Sequence, residues 1–260
     1  MSTYSLEHQK FIKKEKKNKL LISIIRIAII TIFLIIWELL AKFKIINTFL
    51  TSSPSRIIKT IVELFKNGSL MKHIGITLYE LFLSFSVASI LGFLLALLFW
   101  SNRFLAKVIE PYITVLNSLP KVALGPLIII WVGASNNSII FMALLISLFI
   151  TIINIYNGFI STDESYITLL RAFGATKSQI FRKVILPSNY STIVNALKIN
   201  ISMSLIGVIM GELLVSKNGL GYLIMYGSQV FNIDLVITSV LILGIISYLM
   251  YFIIDKLEKK

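Results

Sequence analysis

Long apolar stretches separated by short polar ones run along the whole chain, and their lengths decide what they build. A helix of about 20 apolar residues crosses the hydrocarbon core of a bilayer. The pattern predicts spans at about 20–41, 76–100, 112–132, 138–159, 192–215 and 235–254, with a polar stretch at 161–190 and a basic tail at 1–19. The expected fold class is therefore an all-α integral membrane protein with its membrane domain over 20–260. The first apolar run is too long for a signal-peptide core, and no small-x-small cleavage site precedes Lys42 and Lys44. Arg26 and Glu38 lie near its two ends, where long side chains snorkel toward water.

Finer patterns sit between and within the spans. Ser53 before Pro54 is a helix-start signal. Ile57, Ile58, Ile61, Val62 and Phe65 then recur at helical spacing opposite Arg56, Lys59, Glu63 and Lys66, the stripe of a short helix lying at a membrane interface. Asn67-Gly68-Ser69 ends it. In the second span Ser84, Ala88, Gly92 and Ala96 repeat every four residues and share one face, so another helix can approach closely, from the same chain or from a second copy. Glu80, one turn inside this span, is either interfacial or an ionic partner within the bundle. Residues 101–111 predict a short loop.

The third span is interrupted by Pro111, Asn117-Ser118, Pro120-Lys121 and Gly125-Pro126. Proline removes a backbone donor, and in lipid the freed groups must be satisfied by protein or by a water-filled cavity. Asn117, Pro120 and Lys121 are thus candidates for a pathway lining, beside the plainer reading of a kinked structural helix. The fifth span carries Asn195, Lys198, Asn200, Ser202 and Ser204, contains Gly207-x-x-x-Gly211 and ends at Glu212; Asn200 and Glu212 join the candidate pathway residues. Lys217-Asn218-Gly219-Leu220-Gly221-Tyr222 predicts a glycine-rich turn and lacks the Gly-Lys-Ser/Thr of a phosphate loop.

Composition agrees with the pattern. Mean hydropathy is +0.88, and 57% of residues are hydrophobic against 14% charged. There is no cysteine, so disulfides and thiolate chemistry are excluded. The two histidines, His8 in the tail and His73 in a predicted loop, are too few for a histidine metal cluster. No nucleophile–base arrangement or carboxylate pair emerges, so nothing positive points to an enzyme. The net charge of +13 belongs to residues flanking the spans, facing anionic lipid, and no basic face interleaved with aromatics points to nucleic acid. With an even number of spans and the amino end inside, fifteen Lys and Arg lie in inside segments and seven in outside ones. This orientation puts both termini and the 161–190 stretch in the cytoplasm of a multi-pass cell-membrane protein.

That stretch is a basic island, predicted as a helix from Ser165 to Phe173 capped by Thr162 or Asp163, a turn at Gly174, and a second helix ended by Leu186-Pro187. Gly174, Val184, Leu186 and Pro187 fall on the register of the signature of membrane subunits of ATP-binding-cassette (ABC) importers, and Thr168, Leu169 and Leu170 occupy its Glu-Ala-Ala positions, without the acidic member. Leu119-Pro120-Lys121-Val122-Ala123-Leu124-Gly125-Pro126-Leu127 with Trp131-Val132-Gly133, and the Gly-Leu-Gly turn after Glu212, also resemble this family, in its nitrate, sulfonate, taurine and thiamine-precursor branch.

The resemblance covers about residues 50–255 and implies a six-helix type I importer permease with a cytoplasmic coupling helix. It implies that Thr168, Leu169, Leu170, Arg171, Ala172, Gly174, Ala175, Thr176, Phe181 and Pro187 contact a cytosolic ABC ATPase. It implies a homodimer or a pairing with a sister permease, and an extracytoplasmic solute-binding protein. The chain itself would bind no cofactor, ATP and Mg residing on the ATPase. The residues alone leave open an ATP-independent secondary carrier, or an island that only fixes topology.

Overall fold

A computed structural model describes residues 6–258, with side chains from Phe11 onward except that of Leu257; tail residues 1–5, the Lys10 side chain, Lys259 and Lys260 lie outside the described residues. The described residues are helical almost throughout. Helix α1 (Leu6–Lys42) extends the first span back into the stretch read from the sequence as a basic tail. A single turn, α2 (Thr48–Thr51), leads to α3 (Pro54–Lys66), capped by the Ser53 hydroxyl accepting the Arg56 N–H at 3.4 Å and closed by Gly68 at φ +72°. This is the short helix read from its stripe. It buries Ile57 and leaves Ile58 and Phe65 exposed.

Three helices make the centre: α4 (Ser69–Ser101), α7 (Asn136–Ile160) and α11 (Tyr190–Val215), with α7 between the other two. Small residues set their spacing. A Cβ on Gly207 would stand 2.4 Å from Ala143 Cα, one on Gly211 2.9 Å from Ile139 Cα, and one on Gly92 2.6 Å from Thr151 Cγ2. Ser84, Ala88, Gly92 and Ala96 are all buried within the chain, so the small-residue stripe serves an intramolecular helix contact. Close approach of this kind is how helices gain packing in lipid, where apolar side chains alone give little drive to associate.

Between α4 and α7 lies the broken span. Helix α5 (Arg103–Ser118) starts directly after Asn102, whose side chain caps it, so the loop expected over 101–111 is a helix with Pro111 inside it. Leu119 is extended, as the residue before a proline is biased to be. After a 3-10 turn at Lys121–Leu124, α6 (Gly125–Val132) leaves at 82° to α5. Beyond α7 come α8 (Glu164–Ala172), α9 (Lys177–Ile180) and α10 (Leu186–Ser188), then after α11 come α12 (Leu220–Gln229) and α13 (Ile233–Glu258). Helix α12 occupies a stretch the sequence reading left as turn and connection. Among the described residues five helices are long and apolar enough to cross a membrane, and α5 with α6 makes a sixth if counted as one span.

Polar ties fix the periphery. Glu38 on α1 accepts the Ser55 N–H and hydroxyl at 3.0 and 2.8 Å, while the apolar residues along the rest of α1 are left exposed, as suits a surface facing lipid. Arg56 meets Asp234 at 2.7 Å, joining α3 to α13. At the opposite end of α13, Lys198 of α11 binds Asp255 at 2.6 Å and Glu258 at 2.5 Å.

Candidate coupling island and intramembrane polar sites

The island between α7 and α11 has a rooted side and a free side. Asp163, one of the two expected caps, begins α8: its carboxylate accepts the Ser165 N–H at 2.8 Å, and that bond holds its carboxyl below the ordinary aspartate range. The other, Thr162, instead accepts from the Asn189 side chain at 2.7 Å. Helix α8 ends in a Schellman motif. Gly174 N–H donates to Arg171 C=O at 2.9 Å and Ala175 N–H to Leu170 C=O at 3.0 Å. This closure needs a left-handed residue, and Gly174 sits at φ +75°. A capping box restarts the chain at once, Thr176 N–H donating to Gln179 Oε1 at 2.7 Å and Gln179 N–H to the Thr176 hydroxyl at 3.3 Å.

The segment after α9 is a π-turn at Phe181–Ile185, with Leu186 N–H donating to Phe181 C=O. The second island helix was expected to stop at Leu186-Pro187. Instead the widened turn accommodates the missing proline donor, and the chain stays helical to Ser188. Phe181 points inward, 5.2 Å from the Trp100 ring and 5.4 Å from the Phe159 ring, and Ile180 and Ile185 are buried beside it. The second half of the island is thereby fastened to the ends of α4 and α7.

The first half faces outward. Tyr166 is 59% exposed and Leu169 54% on α8, and Phe173, its C-cap, is 79% exposed. Thr168, Arg171 and Ala172 share this open segment; Leu170, half-buried, packs toward the rooted side together with Ala175. Beside it an open groove of about 680 Å³ is lined by Trp100, Arg103, Ile167, Arg171, Lys177 and Ile180. Tyr166 and Phe173 were not singled out by sequence reasoning. The available signal was an aromatic directly before the glycine of a polar turn.

The candidate pathway residues fall into two groups. Asn117, Pro120 and Lys121 gather at the broken span, where Lys121 Nζ donates to Asn117 Oδ1 at 3.0 Å and lies 5.6 Å from the Phe149 ring centroid. Asn200 and Glu212 lie elsewhere, buried in packing contacts. Asn200 donates to the Ser89 hydroxyl at 2.8 Å and accepts from Ser204 at 3.1 Å. Glu212 anchors the glycine-rich turn: it accepts the Thr77 hydroxyl at 2.6 Å and the Gly221 N–H. A Cβ on Gly219 would overlap the Glu212 carboxylate at 2.3 Å, which explains a glycine there at φ +105°. His73, expected in a loop, is inside α4, where its Nδ1 accepts the Gly219 N–H at 2.9 Å and its ring stacks on Tyr222 at 5.9 Å.

Comparison with known proteins matches this architecture. The family model described as the binding-protein-dependent transport system inner membrane component matches residues 88–260. An ABC transporter permease of Haemophilus influenzae is 29% identical over 228 residues, covering 87% of this chain and 92% of that protein. The formylaminopyrimidine transport permease ThiX of Halalkalibacterium halodurans is 29% identical over 225 residues, covering 86% and 89%. The aliphatic sulfonates transport permease SsuC of Bacillus subtilis is 26% identical over 229 residues, covering 88% and 83%. In fold, a membrane chain of the MetNI methionine ABC transporter in an inward-facing conformation superposes with TM-score 0.57 at 22% identity, covering 77% of this chain and 97% of that one. With its helical membrane fold, its type I importer architecture and a family match over two thirds of its length, the chain belongs to the binding-protein-dependent transport system inner membrane components, the non-catalytic permeases of ABC transporters.

Proposed function

We propose that this chain lines the solute pathway of an ATP-driven importer and receives the power stroke of a cytosolic ABC ATPase on the 164–187 island. The observation carrying this reading is the contrast within the island: Tyr166 and Leu169 on α8 and Phe173 at its C-cap stand exposed, while Phe181, Ile180 and Ile185 of the adjoining segment are locked into the ends of α4 and α7. Exposed apolar knobs on a short helix suit a groove on a soluble partner. A rooted second half passes a push on that helix to the central bundle as a rigid body. The excess of Lys and Arg in the tail and the island favours a cytoplasmic location for both termini and for the island.

ATP and Mg would be held by the ATPase, and two copies of this chain, or this chain and a sister permease, would enclose the pathway. An extracytoplasmic binding protein would supply the solute, a small organic anion of the sulfonate kind or a vitamin precursor, in line with the relatives named for sulfonate and formylaminopyrimidine transport. ATP-driven closure of the ATPase pair then shifts the permease between inward- and outward-open populations by binding one better than the other.

Purification of the chain in mild detergent from its own cells tests this. An ABC ATPase is expected to come down with the intact chain and to be lost from Gly174→Asp, in which a charged side chain is forced into a left-handed turn. A well-folded chain that brings down no ATPase would move the reading to a secondary carrier.

A further inference from the structure

A second polar site, unrelated to the island, lies at the opposite end of the bundle. Glu80 of α4 is completely buried, and neither of its carboxylate oxygens meets a hydrogen-bond donor among the described residues. Thr77, one turn before Glu80 on the same face of α4, donates to Glu212 Oε1 at 2.6 Å, so the Glu212 carboxylate of α11, itself 1% exposed, is brought to the face of α4 that carries Glu80. Two carboxylates bond to each other only if a proton lies between them.

Among the described residues no Lys or Arg forms an ion pair with either carboxylate, Lys72 of α4 included. On α4 itself His73 already accepts the Gly219 N–H with Nδ1. From α12 comes Tyr222, stacked on His73. Helix α7 contains no Asp, Glu, Lys, Arg or His along its length. On α3, Arg56 is engaged by Asp234 and Lys59 lies 3.9 Å from Glu63, both pairs at the surface. On α13 Asp234 is held by Arg56 and the Ser52 hydroxyl. Two bare negative charges buried side by side without a cation are among the costliest arrangements a protein interior can hold.

We propose that Glu80 and Glu212 form a proton-binding site, in which one proton is carried by Glu80 and donated to Glu212. The donor count fixes the direction. Glu212 already accepts from the Thr77 hydroxyl and the Gly221 N–H, bonds that suit an ionised carboxylate, whereas Glu80 accepts from nothing and bonds as the neutral acid. The pair then carries one charge instead of two, and its titration belongs to both groups together. Because Glu212 also seats the 219–221 turn, the proton is bound while the turn is seated. Lifting the turn would take from Glu212 the Gly221 donor that stabilises its charge.

Infrared spectroscopy of the full chain in lipid nanodiscs at neutral pH, in water and in deuterium oxide, reads this directly. Asp163 and Glu258, whose carboxyls are held below their ordinary ranges, contribute no protonated-acid signal there. One deuterium-sensitive band of a protonated, buried carboxyl is expected in the wild type. It should vanish in Glu80→Gln, whose amide can donate to Glu212 in place of the acid, and persist at a shifted frequency in Glu212→Gln. Absence of the band from the folded wild type would overturn the proposal, as would a band untouched by Glu80→Gln. Missing protonated acid together with stability that rises with sodium would assign the pair to a metal cation instead. The wild-type spectrum and the Glu212→Gln shift decide the matter even if Glu80→Gln does not fold.

Discussion

The Thr77 hydroxyl donates to Glu212 Oε1 at 2.6 Å and at the same atom accepts the Leu220 N–H at 2.9 Å. One side chain of α4 thus ties the end of α11 to the start of α12. Thr77→Val keeps the shape but leaves a buried N–H without an acceptor and a carboxylate short of a donor. A loss of about 1–3 kcal/mol is expected, with faster proteolysis at 216–221. Unchanged thermal unfolding in detergent would contradict it. Gly219→Ala should be worse, since its Cβ would both strain a φ of +105° and strike the Glu212 carboxylate.

Helix spacing at the centre gives a paired test. Gly207→Ala would place a methyl 2.4 Å from Ala143 Cα, backbone that yields only by separating α7 from α11. Overpacking of this kind costs roughly 1–3 kcal/mol. Gly244→Ala meets nothing within 4 Å and should be neutral or slightly stabilising, because alanine is the better helix former. Equal effects at the two glycines, measured as unfolding temperature in the same detergent, would refute the packing account.

Acid should loosen the brace between α11 and α13. Hydrogen bonds from Lys198 and then Ser191 hold the Glu258 carboxyl below the ordinary glutamate range in the folded chain. A group with a depressed folded value contributes its stability at neutral pH and loses that contribution as pH falls through the lowered value. Stability should therefore decline below the ordinary carboxylate range, and Lys198→Met should flatten that part of the decline. A Lys198→Met profile parallel to wild type down to low pH would show that the brace carries no linkage.

On the island, Phe173→Ala and Leu169→Ala remove exposed side chains and should leave the unfolding temperature where it is. ATPase affinity should fall by about tenfold or more for each, as for apolar anchors worth about 2 kcal/mol at an interface. Affinity measured on the purified components checks this, and a stability loss without an affinity loss would turn the two residues into packing groups.

Much of this was legible in the sequence because membrane spans are long and their signal is one of length. The small-residue stripe of α4, the Ser53 cap and the Gly174 turn each follow from local chemistry that one segment carries alone. What escaped depended on distant partners. His73 read as a loop residue because its acceptor role is defined by Gly219, 146 positions away. The partners of Glu212 escaped because a polar residue ending a span does not reveal that Thr77 and Gly221 claim its oxygens. Helix α12 has ten residues behind a glycine-rich turn, too short for the span signal and overshadowed by turn chemistry. Pro187 was read as a stop because a π-turn, which absorbs the missing donor, has no local sequence mark.

The chain contains no cysteine, so a single introduced thiol reports from one place only. Phe173→Cys at the tip of the island and Phe231→Cys, 70% exposed at the opposite end of the bundle, form the decisive pair. In native membranes treated with a short bifunctional thiol cross-linker, Phe173→Cys should join to an ABC ATPase and Phe231→Cys should not. A cross-link from position 231, or none from position 173 with transport intact, would contradict the assignment of the island as the place where ATP hydrolysis enters the permease.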